Sequence, residues 1–76
     1  MKTYFKNASS RVYLMLDTEA QSATTTLSND SHKMINRTVD ALAYNNFTAD
    51  STDETKWIPV SQTVFEAVIA ELTSLL

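Results

Sequence analysis

The stretch "RVYLMLD", Arg11 to Asp17, decides how this chain folds. It is β-branched and aromatic, it is bounded by charge, and every position from Val12 to Leu16 is apolar or aromatic. Read as a strand, it sends Val12, Leu14 and Leu16 to one face. Tyr13 and Met15 go to the other, because strand side chains alternate. The first face is an ordinary core face. The second raises the question of what covers it.

Working outward, "TYFK" (Thr3–Lys6) reads as a short strand and "NASS" as a polar turn. "TEAQS" turns the chain again. "ATTTLS" (Ala23–Ser28) is then a Thr-rich third strand with Ala23, Thr25 and Leu27 on one face. Loops this short favour an antiparallel meander. "SNDS" (Ser28–Ser31) supplies N-cap residues. Beyond it Met34, Ile35, Val39 and Leu42 follow helical spacing, with Thr38 in the same stripe. They predict a first helix that ends near Asn45 or Asn46. "FTADSTDET" reads as a surface loop, and "KWI" as a brief edge strand, since Pro59 cannot donate to a ladder.

Pro59 also disfavours a helical conformation at Ile58, and Ser61 is placed to cap a second helix. From there Val64, Phe65, Val68, Ile69, Leu72, Leu75 and Leu76 fall on an arc of about 140° at about 100° per residue. Glu66, Ala70 and Thr73 face away. This second helix is expected to be the main core element. The expected fold class is α+β: a single domain over residues 1–76, with an antiparallel meander of about three strands and two helices packed on one face of it.

Composition narrows the function. The formal net charge is -3, and no basic stripe is present, which argues against nucleic acid and anionic membrane as partners. There is no cysteine, hence no disulfide and no thiolate metal site. "MKTYFKNASS" has no signal-peptide core and no apolar run reaches membrane-spanning length, so cytoplasmic synthesis is expected. Glycine is absent, where a chain of this size would carry roughly five. Phosphate loops and nucleophile elbows in their usual form need glycine. Positions requiring positive φ are therefore expected to fall on Asn7, Asn29, Asn45 or Asn46.

Candidate chemistry is sparse. His32 stands beside Asp30 and Ser31, but neighbours at a helix start cannot adopt triad geometry, and a solvent-facing histidine is the simpler reading. Asp50, Asp53 and Glu54 lack an EF-hand pattern and read as a solvated acidic loop. Glu66 and Glu71 point in different directions on a helix. The four Asn-x-Ser/Thr triplets reflect a chain rich in those residues. The reading is non-enzymatic: no catalytic residues, no cofactor and no metal. The two helices, both on one face, would leave Tyr13 and Met15 exposed beside Tyr4 or Phe5, with Lys6, Arg11 and Asp17 around them. Such a patch suits a partner surface. Tyr4, Tyr13, Met15 and Trp57 are the candidate partner-binding residues.

"MKTYFKNASSRVYLML" looks like the hairpin opening of many small tailed-phage proteins. "WIPVSQTVFEAV", through Trp57, Pro59, Val60, Ser61, Phe65 and Glu66, is similar to a pattern near the end of tail-fibre assembly proteins and related virion-associated modules. The likeness covers about a third of the chain. It departs from the pattern in lacking a glycine in the first turn and in having a complete middle helix. It implies a phage virion structural or assembly component that contacts other protein subunits, other copies of itself among them, and is incorporated in a virion. The alternative is a small cytoplasmic inhibitor or adaptor that binds a host defence complex.

Overall fold

The computed structural model describes residues 1–28 and 33–75, the side chains of Ser28 and Leu75 excepted. The described residues form five strands and two helices. In chain order they are β1 (Lys2–Asn7), β2 (Tyr13–Asp17), β3 (Ser22–Ser28), β4 (Lys33–Thr38), α1 (Ala41–Asp50), β5 (Trp57–Pro59) and α2 (Gln62–Leu75). The strands make one antiparallel sheet in the order β4-β3-β2-β1-β5. The fold is α+β, with a five-stranded sheet where the sequence predicts about three.

The strand added to the meander is β4. Its spacing predicts the start of a helix, through Met34 and Ile35. These residues pair instead with β3 over six positions, from Ala23 opposite Thr38 to Ser28 opposite Lys33. The helix begins later, at Asp40, whose Oδ2 accepts a hydrogen bond from the Ala43 N–H at 3.0 Å. It also runs on through Asn45 and Asn46 to Asp50. The predicted cap cluster Asn29–Ser31 and His32 lie outside the described residues.

Register sorts every strand residue onto one of two faces. Phe5 opposes Leu14 on β2 and Pro59 on β5, and Leu14 opposes Thr25. Trp57 shares that parity. Leu14, Leu16, Ala23 and Trp57 are buried together there, with Phe5, Val12 and the α1 residues Tyr44 and Phe47 packed against them. The Phe47 and Trp57 rings meet edge to face at 6.4 Å. On the opposite face Tyr4 opposes Met15, which opposes Thr24. Here α2 lies down, with the Tyr4 and Phe65 rings 5.3 Å apart. The helices therefore cover opposite faces, and the expected arrangement of both on one face is corrected. The physical reason lies in Arg11–Asp17: a strand apolar on both faces requires cover on both.

The α2 helix starts where the sequence predicts, but Val64, expected to face the core, is 43% exposed, and the main hydrophobic cluster lies on the opposite sheet face, under α1, so α2 is not the main core element. Ser61 caps it, its Oγ accepting from the Val64 N–H at 3.2 Å. Phe65 and Leu72, one heptad apart and so on one stripe, are buried. Beneath it β3 presents Ser22, Thr24 and Thr26, all buried, and the Thr26 hydroxyl has no hydrogen-bond partner. An unpaired buried hydroxyl costs about 1–3 kcal/mol. Thr26→Val keeps the shape and removes that cost, so it should stabilise the domain by about 1 kcal/mol. A urea midpoint that falls on this substitution would show that the hydroxyl is satisfied in solution.

The turns manage without glycine. Asn7 closes β1 with its side chain, Oδ1 accepting from the Ser9 N–H and hydroxyl, each at 3.0 Å. Asp17 does the same for the β2–β3 turn, accepting from Glu19 and Ala20. The Ala20 and Glu19 hydrogen bonds hold its carboxyl below the usual aspartate range. Thr55, through its hydroxyl and its N–H, does so for Asp53. Each carboxylate contributes stability above the ordinary aspartate value that is lost as pH falls through the lowered one.

Among the described residues the one positive φ belongs to Gln21, at 51°. Asn45 and Asn46 lie within α1, and Asn7 ends β1. The left-handed region costs an ordinary residue about 1–2 kcal/mol, and glycine escapes that cost at an entropic expense of about 0.5–1 kcal/mol. Gln21→Gly should therefore raise stability by about 0.5–1 kcal/mol, a few degrees in a thermal melt. An unchanged or lower midpoint would mean that Gln21 is not left-handed in solution.

Candidate interaction surface

The four residues that the sequence marks for a partner are not brought to one open patch. Trp57 is 7% exposed and belongs to the core under α1. Tyr4 and Met15 are half-buried beside α2, in a groove of about 360 Å³ that Phe65 and Ile69 also line, with Lys2 and Glu66 contributing charge. Tyr13 lines a second groove on the same sheet face, of about 330 Å³, with Val68, Lys6, Arg11 and Glu71. The face expected to be free is thus the seat of α2. Glu66 and Glu71 line different grooves. Among the described residues no group of three or more His, Asp or Glu is placed to hold a metal ion. In the acidic loop Asp50 pairs with Lys56 at 3.3 Å, and the Asp53 carboxylate accepts from Thr55 at 2.6 Å and 2.9 Å.

The open feature of the molecule is an edge. A sheet of five strands has two, and they differ. At one, β5 is three residues long and ends in Pro59, which has no N–H. At the other, β4 is six residues long and carries no proline, and its residues Lys33 to Arg37 are exposed. Met34 is 46% exposed and Ile35 37%. Val39, just beyond the strand, is 63% exposed, and Leu42, in the first turn of α1, is 70%.

Which main-chain groups β4 offers is set by the ladder. In an antiparallel pair, residues that exchange hydrogen bonds alternate with residues that do not. The Asn7 N–H bonds the Val12 carbonyl, and the Thr18 N–H bonds that of Met1. These anchors put the odd residues of β1 in bonded pairs with the even residues of β2. The Ala8 N–H bonds Lys56 and the Val60 N–H bonds Tyr4, so the even residues of β1 bond toward β5, as the alternation requires. Carried through the registers of β2, β3 and β4, it assigns Met34, Asn36 and Thr38 to the bonds with β3. The N–H and C=O groups of Ile35 and Arg37 then point away from the sheet. Their side chains share the α2 face, since Arg37 opposes Thr24 and Ile35 opposes Thr26, and Lys33 has the same parity. The edge therefore presents outward main-chain groups with a base–isoleucine–base row beside them. The helical reading of Met34 and Ile35 conceals this surface. The signal that could have found it is the β-branched run Thr38-Val39, followed by Asp40 as the cap.

No family model matches the chain, and no curated protein and no solved structure matches it either. No helix among the described residues is long and apolar enough to cross a membrane.

Proposed function

We propose that this chain is a non-enzymatic protein-interaction module whose working surface is the β4 edge. The observation that carries this is the contrast between its two edges. One is short and stopped by Pro59, as edges are when pairing is to be avoided. The other is twice as long and lined by exposed Met34 and Ile35. Strand addition to such an edge is a common mode of recognition, in which main-chain bonds supply affinity and alternate side chains supply specificity. The setting we propose is a tailed-phage virion or its assembly, on the strength of the likeness carried by Trp57, Pro59, Val60, Ser61, Phe65 and Glu66. The partners are then other protein subunits.

The test is association in the cells that make the protein. A tagged chain should sediment with particles or assembly intermediates, and Ile35→Pro should release it while leaving the fold intact. Proline at that position removes an outward N–H and no bond to β3. Co-purification with a host enzyme complex in place of particles would move the setting to an inhibitor. Undiminished association of the proline variant would remove β4 as the working edge.

A further inference from the structure

We infer that the groove beside Tyr4 and Phe65 binds a free aromatic α-amino acid, held by its ring and by both of its charges. This goes beyond the β4 edge and does not rest on it, since the groove is built from β1, β2, β3 and α2. The walls fix the body of the ligand. Tyr4 and Met15 line it from the sheet, and Phe65 and Ile69 line it from α2. The Tyr4 and Phe65 rings are 5.3 Å apart and tilted by 47°. Aromatic rings favour such tilted and offset contacts with one another, and a thioether contacts ring edges favourably. Two rings and a methionine sulfur are the lining that a third ring would use. The volume, about 360 Å³, lies at the small end of ligand pockets, which run from about 300 to 1,000 Å³, so the occupant is of single-ring size.

The rim fixes the charges. Lys2 lines the groove from the sheet and Glu66 from the helix, and among the described residues neither takes part in an ion pair. Asp17 opposes Lys2 in the ladder, but its Oδ1 is engaged by the Glu19 and Ala20 N–H groups, and Lys2 acts on it through space only. Glu66 accepts from the Gln62 amide at 2.8 Å through Oε1, which leaves Oε2 to a ligand. A carboxylate toward Lys2 and an ammonium toward Glu66 match both rim charges. The ligand that carries both, one short arm away from a ring, is a free amino acid; a peptide terminus brings one of the two. The second groove repeats the pattern of charges with Lys6, Arg11 and Glu71, but there Lys6 Nζ donates to the Asn7 and Ser10 carbonyls at 3.2 and 3.3 Å, and the apolar lining is Tyr13 and Val68. It serves as the internal control.

The experiment titrates the full, isotopically labelled chain with phenylalanine and follows amide shifts by NMR, a readout suited to the near-millimolar affinity that a ligand of this size reaches. Shifts should gather at Tyr4, Met15, Phe65 and Ile69 and leave Tyr13 and Arg11 unmoved. Phenylalaninamide, which lacks the carboxylate, and N-acetylphenylalanine, which lacks the ammonium, should each bind about two- to fivefold more weakly, the range that an exposed ion pair supplies. Glycine, with both charges and no ring, should give no saturable shift. Glu66→Gln should weaken phenylalanine without weakening N-acetylphenylalanine, and Lys2→Gln should weaken phenylalanine without weakening phenylalaninamide. Both positions are exposed, so the variants should fold, which their own spectra check. No saturable shift with phenylalanine, or shifts at both grooves alike, would overturn the site. Equal affinities for phenylalanine, its amide and its acetyl derivative would overturn the zwitterionic ligand. Ile35→Pro, which disables the β4 edge, should leave phenylalanine binding unchanged, so either reading can fail without the other.

Discussion

Phe65→Ala is expected to cost about 3–5 kcal/mol, enough to unfold much of the population at room temperature. Phe65 is 3% exposed and its ring lies 5.3 Å from that of Tyr4. Together with Leu72, which is 1% exposed, it seats α2 on the sheet. The floor beneath the helix is partly polar, built from Ser22, Thr24 and Thr26. Truncation removes transfer energy and leaves a cavity that half-exposed Val68 and Ile69 cannot fill without moving the helix. Thermal and urea melts of the variant check this. Midpoints that coincide with those of the parent would mean that α2 is not anchored to the sheet through Phe65.

Trp57→Ala should be comparably severe, at about 3–5 kcal/mol, and for the other layer. Trp57 is buried on the α1 face, in contact range of Phe47, and its strand closes the sheet beside β1. Because α1 buries no residue fully, its attachment leans on Tyr44, Phe47 and the indole beneath them. Trp57→Phe keeps most of the apolar volume and should lose much less. The pair separates a core role from a partner-binding role. A core residue shows its effect in the melt of the isolated chain. If Trp57→Ala melts like the parent and loses only association, the indole belongs to an interface.

The parts of the fold that are legible in the sequence are those where local chemistry and tertiary packing agree. Ser61, Pro59 and the stripe from Phe65 to Leu72 describe α2 correctly, because cap, breaker and apolar face point to the same boundaries. The alternation in Arg11–Asp17 places Leu14 and Leu16 in the core. The β4 strand is not legible. Met34 and Ile35 sit on opposite faces of an edge strand, and adjacent apolar residues there mimic one side of a helix. What makes them a strand is the seven-residue length of β3, which offers them a ladder and is visible only once the sheet exists. The position of α2 is missed for a related reason. Tyr13 and Met15 are recognisable as a second apolar face, but assigning both helices to the first face leaves the second to a partner. Counting the faces that need cover against the helices available would place α2 over it.

The strand order has a consequence for how the molecule is made. The strand β1 is made before the other strands of the sheet yet lies interior to it, and its second neighbour, β5, follows some fifty residues later at residues 57–59. The hairpins that join β1, β2 and β3 close over short loops and need little of the chain to form. The outer side of β1, with the even residues Lys2, Tyr4 and Lys6 turned toward it, has no pairing until the last quarter of the chain arrives. Both β5 and α2 leave the ribosome after the other four strands. A nascent or truncated chain therefore carries an uncovered edge along β1 in addition to β4, and it lacks the helix that shields Tyr4 and Met15. Arrival of β5 and α2 is the event that converts a sticky intermediate with two long edges into a domain with one. Premature stops before Trp57 should be cleared by proteolysis or lost to aggregation, even though most of the sheet is already encoded.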